Sequence, residues 1–294
     1  MLFTMVDQVD WVKIHQDTIF VNILSRLLRI FSGLGIACIF FAIFYHFYGS
    51  YSPLFIQHFL LFGKSNPQYC EYLKYSRVPK RWFKYFYMIG IFSTLCILLV
   101  ELFMLSSVLN KTIISVLIIY LVHVSRRLYE CEYVSVFSNS QMSFMHFLMG
   151  IGFYIVAPSS ILLSQSNAAE RSYLTIGLFS VHMLILQYLQ DLVFRQLAAL
   201  RSGKNKNTDK LSEKKYYPPD GSMFYWVSCP HYILEISIYL SCQLFITPKW
   251  IPFSHILFFT ICNQLCCIWL NHNWYKNNFP EWASKRAMLI PYVW

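Results

Sequence analysis

Long apolar segments recur along nearly the whole chain, and this pattern constrains the fold more than any other feature. Each has close to the roughly 17–25 residues that a helix needs to cross the hydrocarbon core of a bilayer. Charged residues make up 13% of the 294 residues, about half the share that is usual in soluble domains. We predict seven membrane spans, with the third and sixth the weakest, at 28–48, 84–106, 112–128, 142–165, 173–195, 231–247 and 251–270.

The sequence therefore predicts an all-α polytopic membrane protein with a single membrane-embedded domain over residues 1–294. An N-terminal segment occupies about 1–27, a cytosolic loop 200–222 and a C-terminal tail 271–294. A flexible, solvated linker is the simplest interpretation of the polar stretch at 201–220. No internal repeat relates two halves of the chain, so a transporter built from duplicated halves has no support.

Lysine and arginine residues are concentrated on one side of the predicted spans. The positive-inside rule assigns that side to the cytosol, which makes the C-terminus cytosolic and the N-terminus lumenal. The net charge of +10 is divided among short clusters between the spans. This division is typical of loops facing an anionic leaflet, and it argues against a nucleic-acid-binding surface.

Polar and ionisable side chains occur at the cytosolic ends of four predicted spans. Such groups are costly within a membrane and therefore indicate function. Snorkelling accounts for the arginines but not for the carboxylates, so the common depth favours a shared polar cavity. The groups are His123, Arg126, Arg127, Glu130 and Glu132; Gln187, Asp191 and Arg195; His231 and Glu235; and Asn271, His272 and Tyr275.

This set of side chains suits a phosphate-bearing ligand that enters from the cytosol. The sequence contains no Walker loop, and no Gly-x-Gly-x-x-Gly follows a strand, so a soluble nucleotide-binding domain is not expected. The nine cysteines form no Cys-x-x-Cys pair and fall mostly within spans. They are interpreted as buried apolar residues, without a disulfide framework or a metal site.

Several blocks carry a more specific signal: FGKSN at 62–66, VPKRWFKYFY at 78–87, RRLYECEYVSVFSNS at 126–140, DLVFRQL at 191–197, DGSMFYWVSCPHYILEI at 220–236 and NHNWYKNNFPEWASKRAMLIPYVW at 271–294. In these blocks the chain resembles the steroid 5α-reductase family, and more closely its polyprenol reductase (polyprenal reductase) branch. The second and third blocks are specific to that branch, whereas the Lys-Arg-x-x-Leu-Ile-Pro ending belongs to the wider family.

The resemblance implies a seven-helix enzyme of the endoplasmic reticulum membrane that binds NADPH from the cytosol. Its substrate would be a long-chain isoprenoid lipid, whose α-isoprene double bond is reduced on the way to dolichol for protein N-glycosylation. Together with their depth, the resemblance marks the following residues as cofactor-binding: Arg126, Arg127, Glu130, Gln187, Asp191, Arg195, Tyr216, His231, Glu235, Asn271, Lys285 and Arg286. For Lys285 and Arg286, anchoring to anionic lipid is an alternative.

Two departures from the steroid enzymes leave the proton donor open. Val124 stands where those enzymes have a carbonyl-polarising tyrosine, and their catalytic glutamate has no clear match. Because hydride adds only to an alkene conjugated with a carbonyl, we predict that the species reduced is the aldehyde, polyprenal, rather than the alcohol. The candidate donors are His123, Tyr129, Tyr133, His272 and Tyr275.

Competing interpretations remain open. His123 could be an intramembrane hydrogen-bonding residue. Phe224 and Trp226 are candidates for the substrate pocket, although Trp226 also suits an interfacial aromatic belt. A steroid 5α-reductase is the alternative within the enzyme class. Outside it, a transporter would place polar groups near the midplane, and a non-catalytic adaptor would not need paired carboxylates and histidines at one depth.

Overall fold

The computed structural model describes residues 19–53, 56–57, 77–104, 110–137, 141–201 and 217–289. The predicted contact residue Tyr216 and most of the polar stretch at 201–220 lie outside these ranges. The described helices are α1 (Ile19–Tyr48), α2 (Phe83–Met104), α3 (Lys111–Tyr129), α4 (Phe144–Leu163), α5 (Tyr173–Arg201), α6 (Pro230–Ile246), α7 (Pro252–Asn278) and the short α8 (Pro280–Ala283).

The all-α polytopic membrane fold is confirmed. Among the described residues, six helices are long and apolar enough to cross a membrane, namely α1 to α5 and α7. The remaining predicted span is α6, whose 17 residues give a length of about 25 Å. It packs against both α5 and α7, so each of the seven predicted spans corresponds to a helix.

The ends of three helices differ from the predicted spans. Helix α1 begins at Ile19 rather than at 28, α5 continues to Arg201 rather than 195, and α7 continues to Asn278 rather than 270. A helix does not have to stop where the hydrocarbon core stops, since its backbone hydrogen bonds are satisfied internally on both sides of that boundary. Residues 271–278, predicted as part of the tail, are therefore helical.

Local sequence signals explain several helix starts. The side chain of Asn110 accepts a hydrogen bond from the Thr112 backbone N–H at 2.9 Å and caps α3. Ser143 caps α4 in the same way through the Met145 backbone N–H. Proline begins α6, α7 and α8, where its missing N–H removes no helical hydrogen bond.

The helices pack as a bundle with the core between them. Helix α1 lies against α7, α2 against α3 and α4, and α5, α6 and α7 lie side by side. Val116, Ile161 and Phe253 are among the fully buried core residues. A short antiparallel pair of strands, β1 (Arg77–Pro79) and β2 (Gln141–Ser143), joins the chain before α2 to the chain before α4.

Close helix contacts hold α2 against α4. Proline at 158 lies inside α4 and cannot donate a hydrogen bond to the carbonyl of Tyr154, one turn earlier. That carbonyl instead accepts a hydrogen bond from the Ser93 hydroxyl of α2 at 2.9 Å. A Cβ atom at Gly90 would lie 2.8 Å from the Tyr154 ring, and one at Gly150 would lie 2.6 Å from the Phe86 ring, so both contacts require glycine.

Candidate functional site

The C-terminal end of α3 carries two adjacent arginines that share one buried carboxylate. Both Arg126 and Arg127 donate hydrogen bonds to Glu130, one to each carboxylate oxygen. Glu130 is only 1% exposed and begins a π-helical turn, Glu130–Val134, that follows α3 directly. Such turns are frequent at functional sites, and the spacing of three and four residues places all three side chains on one helix face.

Helices α5 and α6 complete this network through Gln190. Its side-chain oxygen accepts a hydrogen bond from Arg126. Its amide nitrogen donates to a Glu235 carboxylate oxygen at 2.7 Å and to the His231 backbone carbonyl at 3.1 Å. Gln190 is 1% exposed and therefore connects three helices within the protein interior.

His123 lies between a carboxylate and a guanidinium group. Its Nε2 atom is 3.5 Å from a Glu235 carboxylate oxygen, and its Nδ1 atom is 3.4 Å from an Arg126 nitrogen. An N–H of Arg126 directed at Nδ1 suits the neutral tautomer that carries its proton on Nε2. The ring is fully buried, so Glu235 and Arg126 together define its orientation.

Aromatic side chains enclose the second arginine. The Arg127 guanidinium lies 4.1 Å from the centre of the Phe194 ring and donates a hydrogen bond to the Tyr87 hydroxyl at 3.2 Å. Cation–π contacts of desolvated guanidinium groups contribute roughly 2 kcal/mol. Helix α2, which carries Tyr87, thus also contributes to the site.

We refer to the six hydrogen-bonded polar residues named at the end of this paragraph as the buried charge cluster. Two guanidinium groups face two carboxylates, and a neutral imidazole and a neutral amide lie between them, so the charges within the cluster balance. Burying such charges is tolerated only when they are paired and hydrogen-bonded. The cluster consists of His123, Arg126, Arg127, Glu130, Gln190 and Glu235.

Polar atoms next to the cluster remain without hydrogen bonds. Gln187 is 2% exposed, and neither its side-chain oxygen nor its nitrogen has a hydrogen-bond partner among the described residues. The same holds for the Nε atom of Arg126 within the described part of the chain. An unsatisfied buried polar group costs about 1–3 kcal/mol. A polar ligand in contact with Gln187 and Arg126 would remove this cost, so these residues fit a bound cofactor.

Asp191 and Arg195 form the outer edge of this region. They are joined by an ion pair of 2.6 Å, with side-chain exposures of 16% and 49%. Of the three residues predicted to share one face of α5, at 187, 191 and 195, only Gln187 is buried. Helix α5 turns Gln187 and Gln190 inward, while Asp191 and Arg195 lie closer to solvent.

A second network surrounds the end of the chain. Arg286 donates hydrogen bonds to the Phe224 carbonyl at 2.6 Å, the Trp282 carbonyl at 2.8 Å and the Asp220 carboxylate at 2.7 Å. The Trp282 indole N–H donates to the Pro219 carbonyl at 2.8 Å. These four contacts, which we call the C-terminal clasp, fasten the segment after α8 to the segment that enters α6.

The predicted residues of α7 belong to the region of the clasp. The Nδ1 atom of His272 lies 3.0 Å from the Ser228 hydroxyl, and the Asn271 amide donates to the Cys267 carbonyl at 2.8 Å. The Tyr275 ring packs 4.6 Å from the Trp282 ring. The structure therefore places Asn271, His272 and Tyr275 together, but with side-chain partners different from those of the buried charge cluster.

The other predicted residues are dispersed. Tyr129 is half-exposed, and Tyr133 is 79% exposed on the π-helical turn. Lys285 is exposed and Trp226 is half-exposed. Phe224, in contrast, is fully enclosed by Val193, Leu234 and their neighbours, so it serves as a packing residue in this structure.

Sequence reasoning missed several residues of the site. Gln190 is an interior glutamine of a predicted span, one turn after Gln187, and that position was a usable signal. Tyr87, Tyr120 and Tyr239 are buried in α2, α3 and α6, but their aromatic composition did not distinguish them from the many other tyrosines of the chain. Which tyrosines face inward depends on helix rotation, and a single sequence with few charged residues defines rotation poorly.

Neither metal ligands nor disulfides are found in the described part of the chain. No group of three or more histidine, cysteine, aspartate or glutamate side chains in these ranges could hold a metal ion. The eight described cysteines are free thiols. Metal sites need several such ligands at once.

Comparison with known proteins extends the resemblance. The family described as 3-oxo-5-alpha-steroid 4-dehydrogenase matches residues 140–294. A polyprenal reductase of Caenorhabditis elegans is 30% identical over 249 residues, which cover 74% of this chain and 79% of the relative. A polyprenal reductase of Xenopus tropicalis is 26% identical over 279 residues, covering 81% and 87%. The human polyprenal reductase is 25% identical over 190 residues, covering 60% and 58%.

Proposed function

Because the chain belongs to the 3-oxo-5-alpha-steroid 4-dehydrogenase family, whose members are oxidoreductases that use a nicotinamide cofactor, we propose that it reduces the α-isoprene double bond of a polyprenal. The product would lead to dolichol and so to protein N-glycosylation. The relatives named polyprenal reductase support this substrate class. The observation that carries the proposal is the buried, unpartnered amide of Gln187 beside the charge cluster, because it marks a ligand site within the bundle.

The cofactor in this proposal is NADPH. When bound, it supplies a hydride for the β-carbon of the conjugated aldehyde. The residues that would hold it are Arg126, Gln187, His231 and Asp191, since Arg126 and Gln187 carry buried polar atoms without partners among the described residues, and His231 and Asp191 lie next to them on α6 and α5. A guanidinium group suits a phosphate oxygen, and the Gln187 amide can both donate and accept a hydrogen bond.

The location follows from the same arrangement. The cluster joins the C-terminal end of α3 and the C-terminal half of α5 to the N-terminal end of α6, and the C-terminal part of α7 lies beside Tyr232 of α6. These ends therefore share one side of the bundle. The adjoining loops carry the excess of lysine and arginine, which supports a cytosolic site with a cytosolic C-terminus in the endoplasmic reticulum membrane.

Conjugation determines which isoprenoid can react. In polyprenol the double bond nearest the oxygen is not conjugated with a carbonyl, so it does not accept a hydride. In polyprenal the same bond is polarised by the aldehyde, and hydride addition at the β-carbon becomes feasible once a donor stabilises the oxygen. The protein must therefore exclude water, bind the aldehyde end and supply a proton.

Product analysis by mass spectrometry tests the proposal. Membranes containing the protein would receive NADPH with polyprenal, polyprenol or a 3-keto-4-ene steroid, each supplied separately, and NADH in parallel. We expect polyprenal to gain two hydrogen atoms with NADPH. Reduction of the steroid alone would keep the family and change the substrate. Reduction of polyprenol by purified protein would contradict the conjugation argument, and no reduction of any substrate would favour a non-catalytic membrane protein.

A pair of glutamine variants tests the cofactor site. Gln187→Leu removes no hydrogen bond, so we expect unchanged thermal stability and a dissociation constant for NADPH raised about tenfold or more. The matched control is Gln243→Leu in α6, at the other end of the helix from His231. The Gln243 amide donates to the Thr247 and Lys249 carbonyls and its oxygen accepts from Ser254, so this variant should lose stability and keep NADPH affinity. The same pattern in both variants would contradict the assignment of Gln187.

A further inference from the structure

Two tyrosines extend the polar region beyond the buried charge cluster. Tyr120 lies one turn before His123 on α3, and Tyr239 lies one turn after Glu235 on α6. The two tyrosine rings are nearly perpendicular, with centres 6.4 Å apart. The Tyr239 ring is also 6.2 Å from the His123 ring at 89°. Both tyrosine rings therefore pack beside the His123 ring.

The hydroxyl groups of these tyrosines are buried, with only each other as neighbouring hydroxyl partners. Tyr120 is 4% exposed and Tyr239 is 2% exposed. The two hydroxyls are close to each other, and neither has any other hydrogen-bond partner among the described residues. Leaving a buried hydroxyl unsatisfied costs about 1–3 kcal/mol, and phenylalanine would fill the same space without that cost. Even when one hydroxyl donates to the other, the pair keeps one O–H without an acceptor, and a ligand oxygen would supply it.

The proposed reaction requires such donors. Position 124 carries valine and cannot polarise a carbonyl, although Val124 lies on the same buried stretch of α3. Tyr87 already accepts a hydrogen bond from Arg127, and Tyr133 is exposed. His272 is engaged with Ser228. Among the described tyrosines, Tyr120 and Tyr239 have buried hydroxyls without a hydrogen-bond partner outside their own pair.

We propose that Tyr120 and Tyr239 are the catalytic residues that bind the aldehyde oxygen of the substrate, an assignment that rests on the proposed function. Both hydroxyls donate hydrogen bonds to that oxygen. The rings of Phe153 and Phe253 pack against Tyr239, with centres 5.9 and 6.1 Å from its ring. They leave an apolar surface for the isoprenoid carbon atoms, whereas the hydroxyl pair selects the oxidised end of the lipid.

The reaction then balances as follows. Bound NADPH would supply the hydride that forms the new carbon–hydrogen bond at the β-carbon. As the α,β double bond shifts to join the α-carbon and the carbonyl carbon, one tyrosine proton would move to the oxygen. Tautomerisation of this enol places a proton on the α-carbon and restores the aldehyde. The tyrosine regains its proton from the cytosol through the polar side chains of the cluster. One hydride and one proton are consumed, which yields the saturated aldehyde.

The test uses the full-length protein with Tyr120→Phe, Tyr239→Phe and both changes together. Removal of one oxyanion-binding donor typically lowers kcat by about 10²–10³-fold, so we expect that loss in each single variant and a larger one in the double variant. The dissociation constant of NADPH and the thermal stability should stay close to those of the unchanged protein, because the ring volume is kept. Tyr188→Phe, at an exposed tyrosine of α5, is the matched control.

A spectroscopic measurement separates this inference from the proposed function. Polyprenal labelled with carbon-13 at the aldehyde would be bound in the absence of NADPH, and its carbonyl stretch recorded by difference infrared spectroscopy. Two donated hydrogen bonds should lower the stretching frequency in the unchanged protein relative to the double variant. Equal frequencies, or a kcat within about threefold of the unchanged protein, would overturn the roles of Tyr120 and Tyr239 even when polyprenal is reduced. Failure of the unchanged protein to reduce polyprenal would overturn the proposed function itself.

Discussion

The buried charge cluster and the C-terminal clasp both depend on arginine, but they use it differently. In the cluster, Arg126 and Arg127 bond to side chains from the π-helical turn, α5 and α2. In the clasp, Arg286 bonds chiefly to backbone carbonyls, and its carboxylate partner Asp220 is largely exposed. Beside the first network, polar atoms of Gln187 and Arg126 lack hydrogen-bond partners among the described residues. In the second network, Arg286 makes three hydrogen bonds. Unsatisfied polar atoms are typical of a ligand site, whereas the satisfied contacts of Arg286 are typical of a structural role. The resemblance nevertheless assigns arginines of both regions to the cofactor.

The largest expected effect comes from removing the shared carboxylate of the cluster. Glu130→Gln leaves Arg126 and Arg127 without their common counter-charge in the interior, so the free energy of unfolding should fall by about 3–5 kcal/mol. The matched control is Glu132→Gln, two residues later, whose ion pair with Lys84 is 3.3 Å long and partly exposed; that loss should be below about 1 kcal/mol. Denaturation in detergent measures both. Equal losses would contradict the assignment of Glu130 to a buried cluster, because its ion pairs would then contribute no more than the partly exposed pair of Glu132 and Lys84.

The next effect concerns the clasp. Arg286→Ala removes three hydrogen bonds to carbonyl and carboxylate oxygens, so we expect a loss of about 1–3 kcal/mol with little change in NADPH affinity per folded molecule. Lys285→Ala, at the exposed neighbouring position, should change stability by less than about 0.5 kcal/mol. Thermal unfolding and NADPH titration measure the two effects. A loss of NADPH affinity at unchanged stability would instead make Arg286 a cofactor residue.

A smaller effect distinguishes the two regions at His272. If its partner is Ser228, as the 3.0 Å contact indicates, then His272→Ala and Ser228→Ala should each lower stability by about 1 kcal/mol. The double variant should lose less than the sum, since both changes remove one interaction. A large fall in kcat for His272→Ala that Ser228→Ala does not reproduce would return His272 to the catalytic candidates.

The smallest effect locates the edge of the cluster. Asp191→Asn breaks a partly exposed ion pair with Arg195, and we expect a stability change of less than about 1 kcal/mol. Because exposed charges are screened, even this change should shrink when unfolding is measured at high salt. A change of about 2 kcal/mol or more that persists at high salt would place Asp191 inside the cluster rather than at its edge.

The sequence was sufficient for the architecture and for part of the site. Apolar length predicted all seven helices, since bilayer thickness determines it. The spacing of Arg126, Arg127 and Glu130 along α3 is enough to place them on one helix face. The bond between Gln190 and Glu235 could not be predicted, because it depends on how α5 and α6 are rotated about their axes. The partnership of Arg286 with Asp220 could not either, as many acidic side chains would have satisfied the same charge.

The bond between the Ser93 hydroxyl and the Tyr154 carbonyl links two positions that must change together. Pro158 is tolerated within α4 because another helix satisfies the carbonyl that it leaves without a donor. The bond from Ser93 to the Tyr154 carbonyl is therefore needed only while proline occupies 158, although the hydroxyl also lies 3.2 Å from the Gly90 carbonyl. With alanine at 158, the backbone N–H of that residue would donate to the Tyr154 carbonyl, and the bond from Ser93 would no longer be needed. Replacing Ser93 first would leave the same carbonyl without a donor. We therefore expect that Pro158 must be replaced before a substitution of Ser93 is tolerated.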